Sequence, residues 1–178
     1  MRFSEVLTTF AEFFERERIP WAIAGGLGVG AWGYQRATGD IDFVVPGSER
    51  DKAIAFAESL GYETRYASQG FSNHDHPSED FGHVDLLYVH GSTAEEMFAA
   101  ATKRVVVGTV AAPVISAEHI AMMKGAAIKN NPARSYGDAA DIEYLLTLPG
   151  IDREKIRNYF ERLGLLKIFD AIDHTRKD

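Results

Sequence analysis

Two aspartates stand one residue apart at the start of an apolar segment, in the sequence Asp40-Ile41-Asp42-Phe43. Alternate side chains of an extended strand share a face, so both carboxylates point the same way, roughly 6–7 Å apart along the backbone. Two carboxylates on one face repel each other unless a cation lies between them, and oxygen-only ligands suit Mg²⁺ or Mn²⁺. The pair therefore predicts a site for a divalent metal ion.

A third aspartate, Asp85, interrupts the apolar segment "HVDLLYV". A charge in such a strand is costly unless it has a partner. Pairing with His83 or Arg36 would satisfy it, but a strand next to that of Asp40 and Asp42 would bring all three acids together. We predict that Asp40, Asp42 and Asp85 are the ligands of one metal site and carry catalysis.

A glycine-rich segment precedes the aspartates, and a G-x-G-x-x-G pattern begins in it at Gly28. In dinucleotide-binding sites these glycines form the turn directly after the first strand, and an acid ends the second strand about 20 residues later. Here the first strand is predicted to end at Ala24, which assigns the turn to Gly25 and Gly26, and the acids begin the next strand. This context excludes a dinucleotide site. Gly25 and Gly26 are instead predicted to let a phosphate chain approach backbone N–H groups.

These motifs resemble the signature of the polymerase-β-type nucleotidyltransferase superfamily. Ala24-Gly25-Gly26 is followed by thirteen residues and then by the Asp40–Phe43 motif, and Val84-Asp85-Leu86 matches the third carboxylate of that signature. With the later segments "MMKGAAIKN" and "SYGDAADIEYLL", the chain is similar to small antibiotic nucleotidyltransferases and to AbiEii-like toxins. The resemblance covers most of residues 20–146 and implies a nucleotidyltransferase fold.

The resemblance also implies a reaction, the transfer of a nucleoside monophosphate from an NTP to an acceptor hydroxyl or phosphate with release of pyrophosphate. Asp40 and Asp42 would hold two divalent ions, and Asp85 would hold the catalytic ion and help to deprotonate the acceptor. A toxin that modifies transfer RNA or a protein is an alternative on the same scaffold. A non-catalytic nucleotide-binding or antitoxin-like module is a second alternative, which the presence of all three acids disfavours.

Five residues are predicted to contact the nucleotide: Gly25, Gly26, Arg36, Thr38 and Lys124. Arg36 and Thr38 stand just before the two aspartates, where a cation suits a triphosphate, although Arg36 also fits the description of an ordinary surface residue. For Lys124, the resemblance implies a position facing the triphosphate. The alternative is a lysine whose aliphatic part covers apolar surface while its ammonium group reaches water.

The segment "SNHDHPSED" (72–80) shows no periodicity and is predicted to be a polar loop. Three histidines, His74, His76 and His83, raise the alternative of a zinc site, but the lack of cysteine and of regular spacing favours a loop. Because the segment is acidic and directly precedes the strand of Asp85, it is the candidate acceptor-binding loop. A small cationic acceptor would suit it.

The elements that position these residues alternate between helix and strand. We predict helices at 3–17, 29–34, 48–60 and 93–101 and strands at 21–24, 41–45, 62–67, 83–89, 103–107 and 112–115. Ser48 is predicted to cap its helix, with Asp51 in the capping-box position and Gly61 as the stop signal. The fold class is therefore α/β (α+β), a short mixed sheet flanked by helices.

From Ser116 onward the pattern is helical only, with helices predicted at 117–129, 136–146 and 152–163 and a short helix in the tail. Asp138 and Asp141 are expected to cap and charge the start of the second of these helices. We predict an α/β core at 1–115 and a helical part at 116–178 packed on it.

Bulk composition sets limits on the partners. The chain has 178 residues, 46% of them hydrophobic, a net charge of −7 and no cysteine. The negative charge argues against a broad nucleic-acid surface, and the lack of cysteine excludes disulfides and zinc–thiolate sites. No apolar segment is long enough to span a membrane. We expect a cytoplasmic protein, a monomer or a small homo-oligomer, that uses an NTP and an unidentified acceptor.

Overall fold

A computed structural model describes the chain from residue 2 to residue 174. The helices are α1 (Phe3–Arg16), α2 (Gly25–Ala31), α3 (Arg50–Ser59), α4 (Gly91–Ala99), α5 (Ala117–Asn130), α6 (Ser135–Leu145), α7 (Arg153–Leu163) and α8 (Leu166–His174). The strands are β1 (Ala22–Ile23), β2 (Asp40–Pro46), β3 (Glu63–Ala67), β4 (Phe71–Asp75), β5 (His83–Val89), β6 (Thr102–Val107) and β7 (Val110–Val114). Among these residues, no helix is both long and apolar enough to cross a membrane.

The chain divides into two compact units. One contains Met1–Ala31 and Gln35–Ile115, and the other contains Trp32–Tyr34 and Ser116–Asp178. The short segment Trp32–Tyr34 groups with the helical unit because Tyr34 stacks on Tyr144 at a centroid distance of 4.9 Å. The Tyr144 hydroxyl also donates a hydrogen bond to the Trp32 carbonyl at 3.2 Å.

The first unit is built on a mixed sheet of seven strands in the order β3-β4-β5-β2-β1-β7-β6. Its centre is the parallel pair β2–β5, and β4 lies antiparallel to β5 on the outer side. This mixed sheet with helices around it confirms the predicted fold class.

Aromatic side chains fix which face of β2 is buried. The phenylalanines of α1 recur at helical spacing, and Phe10 stacks on Phe43 of β2 at 5.0 Å between ring centroids. Phe13 stacks on Phe56 of α3 at 3.8 Å, which ties the two helices together. Because successive residues of a strand face opposite ways, burying Phe43 under α1 turns Asp42 to the other face.

Two helix starts differ from the sequence prediction. The helix in the glycine-rich segment begins at Gly25 rather than at residue 29, so the glycines lie within its turns. Ser48 lies in a 3₁₀ turn, and α3 begins only at Arg50, with no side-chain cap. Asp51 does not complete a capping box, since its carboxylate pairs with the neighbouring Arg50. The predicted stop at Gly61 is confirmed by its positive φ of 94° directly after the helix.

The largest correction concerns the segment predicted to be a polar loop. Phe71–Asp75 forms strand β4, which pairs with both β3 and β5. Its buried polar side chains, Ser72 and His74, keep their hydrogen bonds. Ser72 bonds to both the His74 ring at 2.7 Å and the Tyr88 hydroxyl at 2.5 Å. Hydropathy alone does not reveal such a strand, since its buried side chains are polar and form hydrogen bonds within the protein.

Candidate active site

Three carboxylates converge on one face of the central strand pair. Asp42 of β2 lies directly opposite Asp85 of β5 in the parallel register, and Asp40 lies two residues before Asp42 on the same face. One oxygen of each carboxylate lies within 4.8 Å of the other two, and all three side chains are half-buried. The convergence expected from the sequence is therefore present in the structure.

Two of these carboxylates are held by short hydrogen bonds. The Thr38 hydroxyl donates to Asp40 Oδ1 at 2.6 Å, and Asn73 Nδ2 donates to Asp85 Oδ1 at 2.7 Å. Donors of this kind fix the rotation of a carboxylate, whose terminal torsion is otherwise broad. Thr38 therefore orients Asp40 in the structure, and its predicted contact with the nucleotide stays a prediction.

The third carboxylate, Asp42, packs against a glycine that no other residue could replace without rearrangement. Gly25 has φ +55°, and a Cβ built on it would lie 1.7 Å from Asp42 Oδ2. The backbone confirms the proximity, because the Ala24 N–H donates to the Asp42 carbonyl at 3.0 Å. The structural reason for glycine at this position is the Asp42 side chain; contact with a phosphate stays a prediction.

Gly26 makes room in a similar way for the segment before β2. A Cβ at this position would lie 2.5 Å from Thr38 Oγ1 and 3.4 Å from Arg36 Nη1. The Arg36 guanidinium, on an exposed residue, donates to the Ala37 carbonyl at 3.1 Å. Arg36 and Thr38 thus lie beside Gly26, within the same unit as the three acids, and their nucleotide contacts stay predictions.

The donor set fits a divalent cation. Its ligands are carboxylate oxygens, which Mg²⁺, Mn²⁺ and Ca²⁺ prefer. Separations up to 4.8 Å are close to what one ion spans with metal–oxygen bonds of about 2.0–2.6 Å. Within residues 2–174 these three acids are the group of potential ligands that meets the distance requirement.

Among the residues that the structure describes, His74, His76 and His83 are not part of a group of ligands close enough to share a metal ion. His74 is buried in β4, where its Nδ1 meets Thr64 Oγ1 at 3.2 Å, and burial lowers its pKa. His83 pairs through Nδ1 with Asp75 at 2.5 Å, a hydrogen bond that holds the pKa of the Asp75 carboxyl below its usual range. His76 accepts from the Ser78 N–H at 2.9 Å. The zinc alternative therefore finds no geometric support.

Lys124, predicted to face the triphosphate, lies in α5 of the helical unit with only 6% of its surface exposed. Its ammonium group contacts Asp138 Oδ1 at 2.8 Å and Asp141 Oδ2 at 2.6 Å, and both carboxylates are buried. The two aspartates therefore pair with Lys124, whereas the sequence had assigned them to capping and charging the helix start. This cluster favours a structural role for Lys124; its nucleotide contact stays a prediction.

Asn73 is the residue at the site that sequence reasoning missed. It lies on the same face of the sheet as Asp85, directly opposite that residue in the β4–β5 register. The signal that reveals it is the alternation of exposed and buried residues along 71–75, which hydropathy does not show because the buried residues are polar. Placing a strand there would have put Asn73 beside Asp85.

Comparisons with known proteins bear on the fold. No family profile matches the sequence, and no curated protein is detectably similar to it. Among solved structures, the lincosamide antibiotic adenylyltransferase LnuA with bound lincomycin matches with a TM-score of 0.57 at 18% identity, over 79% of this chain and 94% of that one. The antibiotic-resistance factor ANT(2'')-Ia matches in its solution structure with a TM-score of 0.59 at 17% identity, over 99% and 94% of the two chains. Its crystal structure in complex with adenylyl-2''-tobramycin matches with a TM-score of 0.56 at 16% identity, over 97% and 98%.

These likenesses establish the fold. The chain has a nucleotidyltransferase fold, and each match covers 94–98% of the solved chain. At identities of 16–18%, these likenesses show the fold alone.

Proposed function

We propose that this protein is a metal-dependent nucleotidyltransferase that moves a nucleoside monophosphate from an NTP to a hydroxyl of a small-molecule acceptor and releases pyrophosphate. The proposal depends above all on the convergence of Asp40, Asp42 and Asp85, whose carboxylate oxygens lie within 4.8 Å of one another on the sheet of a nucleotidyltransferase fold. Three carboxylates brought together on a half-buried surface lower the stability of the folded protein unless they bind a cation.

In the proposal, two of the acids share one role and the third has another. Asp40, oriented by Thr38, and Asp42, lodged against Gly25, would hold the cation that accompanies the triphosphate. Asp85 would help to hold a second divalent ion. It would also accept the proton of the acceptor hydroxyl as that oxygen attacks the α-phosphorus and pyrophosphate departs. Divalent ions, when bound, would neutralise the charge that develops on the phosphoryl oxygens.

Two features support a small acceptor. LnuA is an adenylyltransferase of lincosamide antibiotics, and ANT(2'')-Ia has been captured with an adenylylated aminoglycoside, adenylyl-2''-tobramycin. The net charge of −7 also opposes binding of a polyanion such as RNA. We therefore propose an antibiotic-sized molecule as the acceptor, with ATP as the first NTP to test.

The metal requirement has a direct test by calorimetry. ATP should bind in Mg²⁺ and show negligible binding in chelator, because three carboxylates repel a triphosphate without a cation. Asp42→Asn should abolish the binding while the thermal midpoint stays unchanged or rises, since one of three converging negative charges is removed. Equal affinity in both buffers would contradict the three-acid site.

Catalysis is separated from binding by Asp85→Asn. This variant should keep most of its Mg²⁺-dependent ATP affinity but lose pyrophosphate release, because Asp85 acts on the acceptor rather than on the nucleotide. The assay measures pyrophosphate from each of the four NTPs with lincomycin, tobramycin and fractionated cell extract as acceptors. If the wild-type protein binds ATP and releases pyrophosphate with none of these, a nucleotide-binding module replaces the enzyme.

A further inference from the structure

Asn73, like Thr38, lies outside the acid triad and forms a hydrogen bond with one of its carboxylates. Asn73 Nδ2 donates a hydrogen bond to Asp85 Oδ1 at 2.7 Å. The two registers place Asn73 opposite Asp85 and Asp85 opposite Asp42, so the three residues form one row across β4, β5 and β2. Asn73 is therefore in contact with the carboxylate at the end of the triad that faces the sheet edge.

The position of Asn73 is fixed from the opposite face of its strand. Ser72 and His74, its two neighbours, are fully buried and bonded to each other at 2.7 Å. Ser72 also bonds to the Tyr88 hydroxyl at 2.5 Å. A slip of β4 by one residue would expose this buried pair and turn Asn73 away from the site, so the polar network locks the register.

The chemistry of the contact has one direction. A carboxylate only accepts hydrogen bonds, so the amide must present its NH₂ group to Asp85. This donor occupies Oδ1 and limits the rotation of the carboxylate, which leaves Oδ2 in a defined orientation. Groups that orient a metal ligand in this way typically change metal affinity or activity by about 10–100-fold when they are removed.

We propose that Asn73 is a positioning residue that sets the orientation of the Asp85 carboxylate, both for holding a divalent cation and for the attack of the acceptor hydroxyl. The second part rests on the proposed function, whereas the first part does not. A purely structural asparagine would affect folding of the sheet edge but would have no selective effect on Asp85.

The decisive variants remove the donor and then restore it. Asn73→Leu has a similar size and no N–H, and Asn73→His returns an N–H at the position of the amide nitrogen. Tyr66→Phe is the matched control, because Tyr66 lies opposite Asn73 on β3 and is 52% exposed. Thermal melts select variants that fold, and Asn73→Ala takes the place of Asn73→Leu if the latter does not.

Two measurements then decide the proposal. Binding of Mn²⁺ to the protein alone, followed by electron paramagnetic resonance, should weaken at least tenfold in Asn73→Leu and stay within about twofold in Tyr66→Phe. With ATP and the same acceptor panel, lincomycin and tobramycin included, kcat should fall by about 10–100-fold in Asn73→Leu while KM for ATP stays near the wild-type value. Asn73→His should recover most of both losses.

Failure of this proposal and failure of the proposed function give different results. A wild-type level of Mn²⁺ affinity and of kcat in Asn73→Leu overturns the role of Asn73, as does an Asn73→His variant that is as impaired as Asn73→Leu. If the wild-type protein releases no pyrophosphate with any acceptor, the proposed function fails. The Mn²⁺ comparison then still decides whether Asn73 positions Asp85.

Discussion

Replacement of Gly25 by alanine tests whether the position of the Asp42 carboxylate depends on a glycine at residue 25. The added Cβ would lie 1.7 Å from Asp42 Oδ2, far inside the contact distance of two non-bonded atoms. The residue also has φ +55°, in the left-handed region that alanine rarely adopts. The protein can respond only by moving the Asp42 carboxylate, by changing the backbone at residue 25, or both.

The size of the effect follows from these two terms. Holding alanine in the left-handed region costs about 1–2 kcal/mol of unfolding free energy. In a chain of this length each kcal/mol corresponds to about 2–4 °C in Tm, so Gly25→Ala should lower Tm by roughly 2–8 °C. Relief of the overlap requires a shift of the Asp42 carboxylate by about 1 Å or more, and misplacement of that size costs on the order of a hundredfold in rate.

Gly30→Ala is the matched control, because both positions lie in the seven-residue helix α2. A Cβ on Gly30 meets no atom within 4 Å, and its φ is not positive. Alanine at this site should therefore stabilise the helix by about 0.5–1 kcal/mol and leave ATP binding unchanged. The same calorimetric and thermal assays apply to both variants.

The reasoning is refuted by one clear pattern of results. If Gly25→Ala binds ATP with Mg²⁺ as tightly as the wild type and melts no lower than Gly30→Ala, Asp42 does not depend on the glycine. If instead Gly30→Ala loses ATP binding while Gly25→Ala keeps it, the later glycines contact the nucleotide, and the dinucleotide interpretation returns.

Three further predictions concern stability and need only melting experiments. Lys124→Met should cost about 3–5 kcal/mol, because Asp138 and Asp141 would remain buried without the ammonium group; a loss below about 1 kcal/mol in urea melts would contradict this. Burial lowers the pKa of His74 below its unfolded value of about 6.5, so the folded state binds fewer protons and stability should fall as pH drops below about 6.5. His74→Gln should make that fall shallower, and an unchanged slope between pH 7 and 5 would exclude His74 as its source. Ser116→Ala should cost about 1 kcal/mol, because the Ser116 hydroxyl accepts the His119 N–H at the start of α5; an unchanged Tm would show that the cap is dispensable.

Local pattern was a sufficient guide wherever one face of an element is apolar. The phenylalanines of α1 and the alternation in β2 and β5 predicted both the elements and the faces of Asp42 and Asp85 correctly. The helices after residue 116 were also predicted within a few residues of their observed bounds. In these segments burial follows hydropathy, so the period of the pattern reports the structure.

Pattern was insufficient wherever polar groups are buried against partners distant in sequence. Strand β4 was missed because Ser72 and His74 are satisfied by each other and by Tyr88, sixteen residues after Ser72. The burial of Lys124 between two aspartates of the next helix was likewise not visible from the sequence. No local property of a lysine or a histidine distinguishes a buried, paired group from a solvated one.

The chemistry of the site, namely which residue types are present and which face of its strand each one occupies, can be inferred from the chain alone, because side-chain alternation is a property of a single strand. How the strands come together depends on tertiary packing. The parallel pairing of β2 with β5 in the register Asp42 to Asp85 brings the acids within 4.8 Å, and the pairing of β4 with β5 adds Asn73 to them. Those registers join residues far apart in the chain, which sequence spacing does not encode.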